Sequence, residues 1–137
     1  MNLAVMGAGY VGLTTAICLA SQNHRITIFD IDNEKIKQIQ NKKLPFFENG
    51  LQEILEDVIS SKNLVAVNSL NQLVENTDGC FICVGTPTKD DSIDLTQIID
   101  AAESLANSVN ENNKKNYQII VRSTVIPNTT RNTILPI

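Results

Sequence analysis

The sequence predicts an α/β fold, a doubly wound parallel sheet in a single domain, on three observations. Short apolar runs of four or five residues alternate with longer amphipathic stretches along the chain. A glycine-rich turn, Gly7-Ala8-Gly9-Tyr10-Val11-Gly12, separates the first apolar run from the first helix-like stretch. An aspartate, Asp30, closes the second run. Such alternation implies parallel strands joined by right-handed helical crossovers, with helices on both faces of the sheet. At 137 residues the chain is long enough to bury a core and too short for two domains, so residues 1–137 are read as one.

Leu3-Ala4-Val5-Met6 is too short for a helix and suits a buried parallel strand. Gly12 to Gln22 follows as a helix, with Gly12, Ala16 and Ala20 four apart where small residues let it approach the sheet. Arg25 to Phe29 is β-branched and aromatic, a second strand. Asn33 to Gln40 is a short polar helix. Asn49 to Ser60 carries Leu51, Ile54, Leu55, Val58 and Ile59 on one stripe, as a surface helix requires. Leu64 to Val67 is a third strand, after which Ser69 caps a short helix through Leu73 and Val74. Cys80 to Val84 is the fourth strand. Asp94 stands as the N-cap of a helix whose apolar face is Leu95, Ile98, Ile99, Ala102, Leu105 and Val109, and the Asn- and Lys-rich stretch Asn107 to Asn116 is its exposed end and turn. Tyr117 to Val121 is the fifth strand. Asn128 to Ile137 begins a further helix; because a doubly wound dinucleotide fold usually continues with another strand, the chain is expected to be cut short.

Eleven basic against fifteen acidic residues give a formal charge of −4, which offers no basic surface for nucleic acid and no attraction to an anionic membrane. No apolar run has the length of a membrane span, and Met1 to Met6 leads directly into structure rather than reading as a signal peptide, so a cytoplasmic location is expected. The odd count of cysteines, Cys18, Cys80 and Cys83, does not fit a disulfide framework. Cys80 and Cys83 share a strand but point to opposite faces, so they converge on no metal and are read as small core residues. His24, without Cys or acidic neighbours, is read as a solvated residue between a helix and a strand.

The glycine turn matches G-x-G-x-x-G in the context that gives the pattern meaning. It follows a strand, opens a helix, and meets an acidic residue at the end of the next strand, 23 residues after Gly7. Gly7 allows the tight turn, Gly9 keeps side-chain atoms away from a pyrophosphate, and Gly12 lets helix and strand pack. The free N–H groups and dipole of the helix N-terminus favour phosphate. Asp30 is placed to accept hydrogen bonds from adenosine ribose hydroxyls, and with Asp32 beside it disfavours a 2′-phosphate, so NAD is expected over NADP. Lys35 is close enough to reach the adenosine side, or is a solvated charge on a polar helix. Two further segments sit where such sheets bind ligands, beyond the carboxyl ends of strands: Val84-Gly85-Thr86-Pro87-Thr88 and Arg122-Ser123-Thr124-Val125-Ile126-Pro127. Their hydroxyls and amides suit a nicotinamide ribose or a substrate, and equally a capped turn.

Taken together with Phe29-Asp30-Ile31-Asp32 and Pro45-Phe46-Phe47-Glu48-Asn49-Gly50-Leu51, these segments resemble the N-terminal, Rossmann-type NAD-binding domain of the UDP-glucose/GDP-mannose dehydrogenase family. The resemblance covers essentially the whole chain in family order, and the V-G-T-P-T and S-T-V-x-P segments are its most specific parts. It implies oxidation of a nucleotide sugar, UDP-glucose or a relative, at C6 to the carboxylate in two NAD-dependent steps. It implies cofactor contacts from the glycine turn, Tyr10, Val11, Asp30, Lys35, Gly85, Thr86, Ser123 and Thr124, with Thr124 also positioning a water or substrate oxygen. It implies a loop at Glu48 packed near the cofactor side of the cleft, and a homodimer for the whole enzyme, with this stretch alone free to be a monomer. Asn49 and Asn128 depart from the proline and glycine usual in the family. The family's catalytic cysteine and lysine, sugar-binding domain and dimer-forming helix have no counterpart in these residues, so this stretch alone is expected to bind cofactor and be inactive. The competing expectations are a stand-alone NAD-sensing module and another two-domain dehydrogenase; the two family-specific segments speak against the second.

Overall fold

The computed structural model describes residues 1–89 and 91–137. In chain order the elements are β1 (Asn2–Met6), α1 (Tyr10–Ser21), β2 (Arg25–Phe29), α2 (Asn33–Gln40), α3 (Leu51–Ser60), β3 (Leu64–Val67), α4 (Leu70–Glu75), β4 (Gly79–Ile82), β5 (Thr88–Lys89), β6 (Ser92–Ile93), α5 (Thr96–Glu111), β7 (Gln118–Val121) and a π-helical turn, Thr130–Ile134. Five strands form one sheet in the order β3-β2-β1-β4-β7, every neighbouring pair parallel. The chain moves outward from β1 to β3, returns across the sheet, and continues outward from β4. The order therefore reverses between β1 and β4, where open α/β sheets form a crevice at the carboxyl ends of their strands.

Each strand alternates sides, and this splits the core. Leu3 and Val5 of β1 face α1, α2 and α3 with Leu13, Ile17, Ile36 and Leu55. Ala4 and Met6 face α4 and α5 with Leu73, Ile98 and Leu105. Removing one such leucine or isoleucine from water contributes about 1.5–3 kcal/mol, so the two layers together hold the sheet between them. The period of two also separates the neighbouring cysteines: Cys80 packs in the second layer and Cys83 in the first. Among the described residues no helix is long and apolar enough to cross a membrane.

Element boundaries differ from the sequence reading where local hydrogen bonding decides them. Helix α1 starts at Tyr10, because Gly9 O already accepts from Leu13 N–H at 2.9 Å. Helix α3 starts at Leu51 rather than Asn49. Strand β4 ends at Ile82, two residues early, and β7 begins at Gln118, which pairs with Gly79, while the Tyr117 hydroxyl meets Thr77 Oγ1 at 2.8 Å. The cap of α5 is Leu95, one residue beyond Asp94, although the Asp94 carboxylate still accepts from Thr96 N–H and Oγ1 at 2.9 and 2.6 Å. On α5, Ala101 and Ser108 are buried while Ile99 is only half-buried, a rotation of the predicted stripe. The antiparallel pair β5–β6 was not expected from the sequence. Ser69 caps α4 as expected, accepting from Gln72 N–H at 3.3 Å.

Candidate dinucleotide cleft

The three glycines of the first turn do different things. Gly7 has a φ of +106°, and its N–H donates to Phe29 O at 2.8 Å. A Cβ there would stand 2.6 Å from Cys83 O. Gly12 lies against the turn itself, and a Cβ on it would come within 1.9 Å of Gly7 O. Both are required by the fold. Gly9 is not. Its φ of −73° and ψ of −175° are open to any residue, and nothing lies within 4 Å of where its Cβ would be. The space it leaves opens at the start of α1, which no side chain caps. The N–H groups of Tyr10, Val11 and Gly12 precede the first intrahelical bond and so lack carbonyl partners within the helix. An anion is the complement of such an end.

Asp30 closes β2 beside this turn and is only 9% exposed. Its Oδ2 accepts from Ala8 N–H at 2.6 Å and its Oδ1 from Asp32 N–H at 2.8 Å. Lys35 Nζ lies 3.8 Å from Oδ2. These contacts offset the cost of burying the carboxylate and fix it to the glycine turn, while each oxygen keeps acceptor capacity. Asp32 caps α2, accepting from Glu34 and Lys35 N–H at 3.0 and 3.4 Å, which sets Lys35 in the first turn of that helix.

Between these elements lies a cleft of about 570 Å³, within the range of small-molecule sites. Gly7, Gly9, Asp30, Ile31, Asp32 and Lys35 line one side, and Leu70, Val84, Gly85 and α5 the other. Gly7, Gly9, Asp30, Lys35 and Gly85 are thus brought together in one cleft lining. Tyr10 and Val11 are exposed at the N-terminus of α1, outside the cleft lining. The Tyr10 ring packs 5.1 Å from that of Phe46, and its hydroxyl donates to Glu48, tying the segment between α2 and α3 to the turn. That hydrogen bond, reinforced by the Glu48 charge, holds the Tyr10 hydroxyl above its ordinary pKa. Gly12 is buried beneath the turn.

The second pair of loops is arranged otherwise. Thr86 Oγ1 donates to Thr124 O at 2.6 Å, and Ser123 Oγ donates to Val84 O at 2.7 Å. Both hydroxyls bind the loops after β4 and β7 to one another. Thr124 is exposed, and among the described residues its hydroxyl has no hydrogen-bond partner. Neither Thr86, Ser123 nor Thr124 lines the cleft. The thiols are poor nucleophiles here: burial pushes Cys83 up to about 11 and Cys80 higher still. Cys18 is exposed on α1. His24 sits in the α1–β2 turn, 3.5 Å from the amino terminus and at the opposite end of β1 from the cleft. Among the described residues no group of three or more His, Cys, Asp or Glu could hold a metal ion.

Sequence reasoning missed the contribution of α5, where Gln97, Asp100, Ala101 and Ser104 line the cleft. The signal was present as a polar stripe beside the apolar one, at spacings of three, four and seven.

The profile of the UDP-glucose/GDP-mannose dehydrogenase family, NAD binding domain, matches residues 1–137. GDP-mannose 6-dehydrogenase of Pseudomonas syringae pv. syringae is 36% identical over 140 residues, covering 100% of this chain and 31% of the relative. UDP-glucose 6-dehydrogenase of Rickettsia typhi is also 36% identical, over 98% of this chain and 30% of its own length. In three dimensions the chain superposes on a ternary complex of GDP-mannose dehydrogenase from Pseudomonas aeruginosa with a TM-score of 0.95 and 32% identity, over 99% of this chain and 31% of that one. The chain spans about 31% of the length of these relatives. With its glycine turn, Asp30 and reversal of strand order in place, the chain belongs to the UDP-glucose/GDP-mannose dehydrogenase family and is its NAD-binding domain.

Proposed function

We propose that this domain holds NAD in the cleft between the glycine turn and α5, and serves a nucleotide-sugar 6-dehydrogenase acting on UDP-glucose or a related nucleotide sugar. The observation that carries the reading is Gly9, a glycine the fold does not need, beside open space at an uncapped helix N-terminus. The N–H groups of Tyr10, Val11 and Gly12 receive the pyrophosphate there. Asp30 accepts from the adenosine ribose hydroxyls, and Lys35 steadies its carboxylate from 3.8 Å. Gly85 lines the cleft, while Thr86, Ser123 and Thr124 stand outside that lining in the loops after β4 and β7, where Thr124 is free to orient a water or substrate oxygen. NAD, when bound, supplies the hydride acceptor, and two equivalents take the four electrons released between a C6 alcohol and a carboxylate.

Substrate oxidation needs more than residues 1–137 provide. Removing the alcohol proton calls for a base, and carrying an aldehyde to an acid calls most directly for an activated thiolate. Cys80 and Cys83 are buried and protonated, and His24 is at the wrong end of the sheet. This polypeptide by itself is therefore inactive, and the specificity for one sugar or base resides in other residues of the enzyme. The acidic, thiol-bearing chain belongs with its cofactor in the cytoplasm. Calorimetric titration with NAD, NADH, NADP and NADPH tests the reading. The non-phosphorylated pair binds more tightly; equal or tighter binding of NADP removes Asp30 from the ribose site. NADH formation from UDP-glucose or GDP-mannose by this polypeptide alone would show the catalytic assignment to be wrong.

A further inference from the structure

The wall of the cleft opposite Asp30 is more polar than the fold requires. One face of α5 supplies it with Gln97, Asp100 and Ser104 around Ala101. Gly85 makes room for the first of these, since a Cβ there would stand 3.0 Å from Gln97 Oε1. Asp100, a turn farther on, is exposed, and among the described residues its carboxylate has no hydrogen-bond or ion-pair partner. Its presence is costly in a cleft meant for a pyrophosphate. Among the described residues Lys35 is the sole cation lining the cleft, set against Asp30, Asp32 and Asp100. Asp30 also fixes the glycine turn, and Asp32 caps α2. Asp100 has no such role. Leu70, Ala101 and Ile31 give the same cleft apolar lining, Ile31 being 87% exposed although aliphatic and without a packing role in either core layer.

We infer that Asp100 selects the base of the dinucleotide, accepting a hydrogen bond from the 6-amino group of a purine lying against Ile31, Leu70 and Ala101. The inference rests on the proposed cofactor cleft and adds to it a choice among bases. A carboxylate accepts and cannot donate, whereas the Gln97 amide and Ser104 hydroxyl can donate. The wall therefore presents an acceptor beside donors. A 6-aminopurine offers the complement, an amino donor beside a ring-nitrogen acceptor. A 6-oxopurine offers the reverse and sets a keto oxygen against the Asp100 carboxylate. Sites that hydrogen-bond a substrate N–H discriminate strongly against analogues that lack it.

The test titrates this chain with NAD and with nicotinamide hypoxanthine dinucleotide, which differ only at the base edge. The expected result is about a tenfold preference for NAD, the size of one hydrogen bond to a partly solvated charge. In Asp100→Ala the preference falls below about twofold, with the thermal midpoint unchanged because Asp100 is exposed. Glu103→Ala, on the outer side of α5, keeps it at about tenfold. A preference that survives Asp100→Ala, is lost equally in Glu103→Ala, or is absent from the parent while NAD binds overturns base selection and leaves the cleft standing. Failure of both dinucleotides to bind the parent overturns the cleft itself, and the inference with it.

Discussion

The turn after β1 and the loops after β4 and β7 share one edge of the sheet, yet they use their polar groups in opposite ways. At the first turn the fold satisfies only what it must: Ala8 N–H is bonded to Asp30 and Gly7 N–H to Phe29, the amides of Tyr10 to Gly12 have no carbonyl partner within the helix, and a Cβ on Gly9 would meet nothing within 4 Å. At the second edge the hydroxyls of Thr86 and Ser123 are already bonded to backbone carbonyls across the two loops. One region leaves an uncapped helix start beside open space. The other is a pair of tethered loops, whose Thr124 remains available to whatever else meets that edge. On the proposed function, the cofactor is gripped by residues local to β1 and β2.

Glycine substitutions carry the largest expected effects. Gly12→Ala forces a methyl into Gly7 O and is expected to cost more than about 3 kcal/mol, lowering the thermal midpoint severely and taking NAD binding with it. Gly9→Val meets no protein atom within 4 Å at its Cβ, so the fold persists, yet NAD affinity drops by at least about a hundredfold as the phosphate space fills. Thermal melts beside calorimetry separate the two effects. A Gly9→Val protein that melts normally and binds NAD as the parent does would remove the anion site.

Asp30→Asn addresses the same turn more gently. The amide can still accept from one N–H but loses the charge, so NAD affinity falls about tenfold and the preference over NADP narrows. Competition titration of the two dinucleotides reads both numbers, and an unchanged preference would transfer cofactor selection to another residue. At the opposite loops the expected effects are smaller and of another kind. Thr86→Val and Ser123→Ala each lose one tether, about 1 kcal/mol of stability, while NAD affinity stays within about twofold. A large affinity loss without a stability change would mean that these hydroxyls leave their carbonyls to bind ligand.

Much of this was legible in the sequence because it depends on local pattern. The strands are apolar runs bounded by turn residues, and β2 and the edge strand β3 fall where those runs predict. The glycine turn and Asp30 could be found because their meaning comes from order along the chain, strand, turn, helix, strand, acid. What could not be read depends on partners distant in sequence. Nothing local says that Thr86 will donate to Thr124 O, or that Tyr10 will reach Glu48. The rotation of α5 was missed because small residues settle it: Ala101 and Ser108 turn inward, and Gln97 and Asp100 are carried to the cleft. The β5–β6 pair has only two residues in each strand, too few for an alternating pattern to register.

We infer that the grip on the cofactor lies at the glycine turn, and amide chemical-shift mapping of the folded chain reads that contact residue by residue. ADP-ribose, which carries the adenosine and pyrophosphate without nicotinamide, is titrated first, and NAD second. ADP-ribose alone is expected to shift the amides of Ala8 to Gly12 and Asp30 to Asp32 most strongly, and NAD to add changes at Val84 to Thr86 and Ser123 to Val125. Shifts from ADP-ribose confined to the loops after β4 and β7, with the glycine turn silent, would contradict it.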